Sequence, residues 1–161
     1  MPTVQPCDKT LEFAKCLGDW WVQRSVPTPL DSNAFNGLEQ YTDDGKGGMK
    51  VKYTFNSKSF DGPQSTVYQK GGFKNKEGTL WGVRPKIGPF YLPFSLGYVV
   101  LDMADDYSWM IASSPSTTGF GSWLYIMTRQ RVVDEAYLKP LLDKAGEAGW
   151  DLSKVEVVGQ R

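Results

Sequence analysis

The sequence predicts an all-β chain folded as an eight-stranded antiparallel up-and-down barrel, with one C-terminal α-helix packed outside it. Three observations lead there. Apolar and polar residues alternate with period 2 in run after run through the middle of the chain, each run bounded by Gly, Pro, Asn or Asp. The period changes once, after Asp134, to that of a helix. Finally, 8 Phe, 8 Tyr and 6 Trp make 14% of a 161-residue chain aromatic, and a cavity wall is one place where so many rings can go.

The elements follow in order within a single domain, residues 1–161. Residues 1–17 read as an N-terminal segment, polar from Met1 to Thr10 and without the apolar stretch of a signal peptide. It carries both cysteines, Cys7 and Cys16, whose spacing fits neither a CxxC redox motif nor a zinc set. They could form one disulfide; the sequence leaves this open, because a bridge depends on a Cα separation it does not contain. The barrel, 18–129, is read as strands Gly18 to Val26, Leu38 to Asp43, Met49 to Asn56, Ser65 to Phe73, Thr79 to Arg84, Gly97 to Met103, Tyr107 to Ser113 and Ser122 to Arg129. The third is the clearest: Met49, Val51, Tyr53 and Phe55 share one face, Lys50, Lys52, Thr54 and Asn56 the other. Asp43 to Gly48 and Phe60 to Pro63 are the turns around it.

The helix is read over 134–148. Asp134 supplies an N-cap, Leu138, Leu141, Leu142 and Ala145 make the apolar stripe, and Gly149 supplies the stop. Pro140 removes one backbone donor, which predicts a kink or a late start near Tyr137. A short last strand, 154–158, closes the chain. The longest uncharged run, Tyr107 to Thr128, is broken by Ser113 to Gly119 and reads as two strands and a turn, not a membrane span. A two-sheet sandwich is the alternative architecture, but its middle would be aliphatic, whereas rings recur at inward positions of nearly every strand. Closing the sheet removes both edges and leaves an interior sized for one small ligand.

Composition excludes several function classes. Eighteen basic against 18 acidic side chains, with a pI near 6.3, give no electrostatic case for nucleic acid. The chain has no histidine, which removes the Ser-His-Asp and Cys-His arrangements and the commonest metal ligand.

Gly18-Asp19-Trp20, read as the start of the first strand, and Arg129, read as the end of the eighth, resemble two motifs of the lipocalins. Agreement at Val26-Pro27-Thr28-Pro29, Ser59 to Pro63, Trp81-Gly82, Tyr98 to Leu101 and Gly149-Trp150-Asp151 makes the chain most similar to the bacterial outer-membrane lipocalins grouped with apolipoprotein D and the plant temperature-induced lipocalins. The family's T-D-Y motif is degenerate here, as Ala104-Asp105-Asp106 before Tyr107, where Asp105 and Asp106 read as turn residues. The resemblance covers essentially the whole chain. It implies that Trp20 and Arg129 stack as a structural floor at the closed end, a cation–π contact of about 0.5–2 kcal/mol. It also implies ligand binding inside the barrel. Bacterial members are usually anchored through a lipidated cysteine, but Val4-Gln5-Pro6 before Cys7 does not resemble a lipobox.

Candidate ligand-binding residues are Tyr53, Phe55, Trp81, Tyr98, Trp109 and Tyr125 inside the barrel, Leu30 and Phe35 on the loop from Thr28 to Asn36, and Phe90 in the stretch Ile87 to Phe94. That stretch reads as a hydrophobic lip where a bilayer could be met peripherally, or as a packed loop. Arg24 and Arg84 read as solvated outer-face residues, with pairing to a ligand carboxylate as the alternative. The connection Pro115 to Gly121 is expected beside the closed end. The expected function is transport or sequestration of a hydrophobic small molecule: a fatty acid, lysophospholipid, sterol or carotenoid. No cofactor is expected beyond a bound lipid or pigment, and the protein is expected as a monomer or homodimer. The alternatives are a barrel enzyme acting on a lipid or epoxy-carotenoid, marked by a carboxylate buried in the barrel, and an interaction subunit with a filled barrel. The compartment is extracytoplasmic if a targeting segment is removed, and otherwise cytoplasmic.

Overall fold

The computed structural model describes residues 4–161. In chain order the elements are α1 (Phe13–Cys16), β1 (Gly18–Val26), β2 (Ala34–Asp43), β3 (Met49–Ser57), β4 (Gln64–Phe73), β5 (Leu80–Ile87), β6 (Phe90–Tyr91), β7 (Leu96–Met103), β8 (Trp109–Ser113), β9 (Leu124–Thr128), α2 (Glu135–Glu147), a 3-10 turn (Leu152–Lys154) and β10 (Glu156–Val157). Antiparallel pairing runs from β1 through β5 and β7 to β9, and β9 pairs back to β1, so eight strands close a barrel. β6 is a two-residue extension of the hairpin after β5, and β10 adds onto β1.

Strand direction defines two ends. β1 starts and β9 finishes at the floor, where the Arg129 guanidinium lies 3.6 Å from the Trp20 ring centroid. It also donates to the carbonyls of Asp19 and Lys15 at 2.8 Å and of Tyr107 at 3.2 Å, tying four segments together. The Trp20 indole donates to the Cys16 carbonyl at 2.9 Å. Gly18 is required beside this stack. Its φ of +99° is one that side chains rarely adopt, and a Cβ there would stand 3.2 Å from Arg129 Nη1. At the other end, the mouth, lie the connections 27–33, 58–63, 88–95 and 114–123.

The outer face of β8 and β9 is covered by α2. Leu138, Leu141 and Ala145 pack with Ile111, Leu124, Ile126 and Trp150, each fully buried Leu or Ile contributing roughly 1.5–3 kcal/mol. Asp134 caps the helix by accepting from Tyr137 N–H at 2.8 Å.

Several expectations are corrected. α2 starts at Glu135 and runs through Pro140, with no late start. β2 begins at Ala34, not Leu38; a bulge between Phe35 and Leu38 breaks its alternation and hides its first half from a period-2 reading. The connection 114–123 lies at the mouth, because β9 ends at the floor and must therefore begin at the opposite end. Cys7 and Cys16 are both free thiols. The segment that carries them runs from the mouth, where Val4 N–H meets the Pro115 carbonyl, past Val100, where Cys7 N–H is bound, to Glu77. Cys16 lies on the floor beneath Trp20.

Arg129→Ala should lower unfolding stability by about 2–4 kcal/mol, a cation–π contact plus charged hydrogen bonds that water partly replaces at this half-exposed site. Urea denaturation with an unchanged slope would report it, and a shift near zero would show that the floor is held by other contacts.

Candidate functional site

The inward faces of the strands converge on a continuous set of rings. Trp81 stacks on Tyr98 at 4.3 Å, Tyr98 meets Trp123 at 5.2 Å, Trp123 meets Tyr125 at 5.1 Å, Tyr125 meets Tyr53 at 5.6 Å, and Tyr53 meets Phe55 at 5.1 Å. Contacts span the barrel: the hydroxyls of Tyr41 on β2 and Tyr98 on β7 are 2.8 Å apart. Tyr53, Phe55, Trp81, Tyr98 and Tyr125 therefore stand inside, as their strand phase predicts. Their rings fill much of that interior.

Two predicted positions fall elsewhere. Trp109 points outward under α2, with the Lys144 ammonium 6.0 Å from its ring. Met110 and Ala112 are the inward residues of β8. Both faces of β8 are apolar because the helix covers the outer one, so alternation alone could not choose between them. Phe35 opposes outward Asn56 and packs edge-on against Phe60 at 4.9 Å, its phase set by the bulge. The connections assigned to Leu30 and Phe90 lie at the mouth, where the two side chains are 78% and 75% exposed. Arg84 faces out beside Val83, which points in. Arg24 also faces out but is buried, not solvated, and pairs with Glu135.

The interior also holds two acids that pattern reading missed. Asp31, from the connection between β1 and β2, accepts from Thr28 N–H and hydroxyl, both at 2.8 Å. It also accepts from the hydroxyls of Tyr125 and, at 3.4 Å, Tyr53. It thus bridges β3 and β9 from the mouth. Glu39 stands on β2 between Trp20 on β1 and Tyr53 on β3, its cross-strand partners. It is 4% exposed, and among the described residues its Oε2 has no hydrogen-bond partner. Burial, and then the charge of Asp31, push its carboxyl up to about 8. Burial likewise holds the phenols of Tyr41, Tyr53, Tyr98 and Tyr125 well above their usual range, so they are neutral donors at physiological pH. Glu39 shares a face with Tyr41, a signal that was available, but the strand was read from Leu38, whose phase is opposite. Trp123 was equally legible, lying in phase with Tyr125 and Met127.

At the mouth, an apolar hollow of about 460 Å³ lies between Leu96, Pro115, Phe120 and Trp123. Trp123 belongs to both spaces, with one part of its ring on the hollow and another on Tyr98 and Tyr125. Leu96 and Phe120 on its lining are exposed, Phe120 98% so, and the mouth end carries further exposed apolar side chains at Leu30, Ile87, Phe90 and Phe94. A larger hollow, about 590 Å³, lies on the outer side of the floor around Lys15, Asp106 and Arg129, away from the rings. Among the described residues, no three His, Cys, Asp or Glu side chains come together in a way that could hold a metal ion.

Comparison with known proteins agrees with this architecture. A lipocalin-like domain model matches residues 11–160. Temperature-induced lipocalin-1 of Arabidopsis thaliana is 28% identical over 165 residues, covering 94% of this chain and 81% of that protein. Among solved structures, insecticyanin from the tobacco hornworm Manduca sexta superposes with a TM-score of 0.77 at 16% identity, over 99% of this chain and 86% of its own. The amine-binding protein of Rhodnius prolixus, solved with tryptamine, superposes with a TM-score of 0.71 at 14% identity, over 96% and 84%.

Glu39 carries a stability signature. The unfolded chain releases this proton near 4.5 and the folded chain holds it to about 8, so stability falls as pH rises through that window, by about 1.4 kcal/mol per unit at most. Glu39→Gln should be close to neutral at pH about 5 and stabilising by a few kcal/mol at pH about 8. Urea unfolding at the two values checks it; equal effects at both would mean that Glu39 ionises as freely folded as unfolded.

Proposed function

The chain belongs to the lipocalin family, and from that premise we propose that it binds and carries a small, largely apolar molecule through the mouth of the barrel. The observation that carries this reading is Trp123, which joins the apolar hollow at the rim to the ring set inside. An apolar body leaving water there gains roughly 25 cal/mol per Å² buried, less the cost of ordering it. Because the rings touch across the barrel, deeper insertion requires Trp123 or the tyrosines to turn aside, and the ligand replaces the contacts they give up. Fatty acids, lysophospholipids, sterols and carotenoids all fit the apolar part of the requirement.

Tryptophan-fluorescence titration of delipidated protein with these ligands should give a saturable one-to-one change, and Trp123→Ala should weaken it about tenfold or more. No saturable response to any of them would sink the carrier reading. A second reading, a lipid- or epoxide-converting enzyme, is favoured by one observation: Glu39 is the buried barrel acid that such chemistry requires, held neutral and able to give a proton. Ligand recovered unchanged after incubation supports the carrier; a product formed by the wild type and not by Glu39→Gln would replace it.

The rim supports an exchange role at a lipid surface. Leu30, Ile87, Phe90, Phe94 and Phe120 are each exposed on segments at the end where ligand would pass. Flotation with phosphatidylcholine vesicles should recover the wild type and lose a Phe90→Ser, Phe120→Ser variant. Equal recovery of both would remove the rim from the account.

A further inference from the structure

Resting on the binding reading above, we infer that the ligand carries a protonated amine, received inside the barrel by Glu39 with Asp31 beside it and the rings of Tyr53 and Tyr125 around it. The first support is an unmet demand: Glu39 Oε2 is buried, faces the ring-lined interior and has no partner among the described residues, whereas buried polar atoms are as a rule paired. The second is an unbalanced charge. Asp31 and Glu39 are both buried, and among the described residues the one buried lysine or arginine, Arg24, faces outward. The nearest cations are committed elsewhere, Arg24 to Glu135 on the outer face and Arg129 to Trp20 and three carbonyls at the floor. The third is the wall. Tyr53, Tyr125 and Trp123 present aromatic faces, which attract ammonium groups, and the two tyrosine hydroxyls are already turned to Asp31. A fatty-acid head placed there would meet two acids.

The same groups set the pH behaviour. Glu39 faces Asp31 from the loop, Tyr41 on its own strand, Tyr53 on β3, Tyr98 on β7 and Tyr125 on β9, with Cys16 and Arg129 toward the floor. The phenols stay neutral, and burial pushes the Cys16 thiol up to about 12, so Glu39 is the group that titrates near neutrality. An ammonium beside it favours its ionised form, and binding therefore expels the Glu39 proton to solvent.

Dodecylamine, dodecanol and dodecanoate share one chain and differ only in the head. At neutral pH the amine should bind about tenfold or more tighter than the alcohol, with the carboxylate weakest. Glu39→Gln, which matches the neutral acid in shape, should bring the amine and alcohol affinities together. In the wild type, amine affinity should rise up to about tenfold per unit between pH about 6 and 8, while alcohol affinity stays flat. An amine bound no tighter than the alcohol, or with a flat pH profile, overturns the inference and leaves the carrier reading standing. Failure of all three ligands to bind removes the carrier reading as well.

Discussion

The Arg129 guanidinium, seated on Trp20 and donating to carbonyls of α1, β1 and the turn before β8, is the contact on which the rest of the barrel depends. A closed sheet of eight strands has two ends, and an interior open at both would admit water along its whole length. The floor stack removes one end. It also fixes where β1 begins and β9 ends, which places every later connection at floor or mouth by strand direction alone. The positive φ of Gly18 is part of the same device, since a side chain there would crowd the guanidinium.

Sealing the floor makes the depth of a group count. Glu39 stands one strand from Trp20 and opposite Tyr53, so water cannot reach it from below, and Asp31 with its tyrosines covers it from above. The cost is a carboxyl kept neutral to about pH 8 and an oxygen without a partner among the described residues. A hydrophobic residue of similar size would remove that cost. Groups whose environment works against their ordinary charge state cluster where a protein does something with them, and here the group lies among the rings that a ligand would touch.

Much of this was legible in the sequence, and the exceptions share a physical cause. Tyr53 and Phe55 fell on the predicted face because β3 is wet on one side and dry on the other. Trp109 did not, because α2 dries the outer side of β8 and both phases look alike. Phe35 was misplaced by a single bulge, which adds a residue to β2 and reverses its alternation, whereas Glu39, past that bulge, lies in phase with Tyr41 and was overlooked. Asp31 reads as an ordinary turn residue, since nothing local says that its loop folds inward over two tyrosines on distant strands. Gly18, Trp20 and Arg129 were read through resemblance, and their geometry supplies the reason for the pattern. Free cysteines and the position of the 114–123 connection follow from chain path, which short-range spacing does not encode.

The most direct test of this account is the protonation of Glu39 itself, followed by the carboxyl ¹³C resonance through a pH titration, with and without dodecylamine. The account predicts a midpoint near 8 in the free protein, moving downward when the amine is bound. A free-protein midpoint in the ordinary glutamate range, unmoved by the amine, would contradict it.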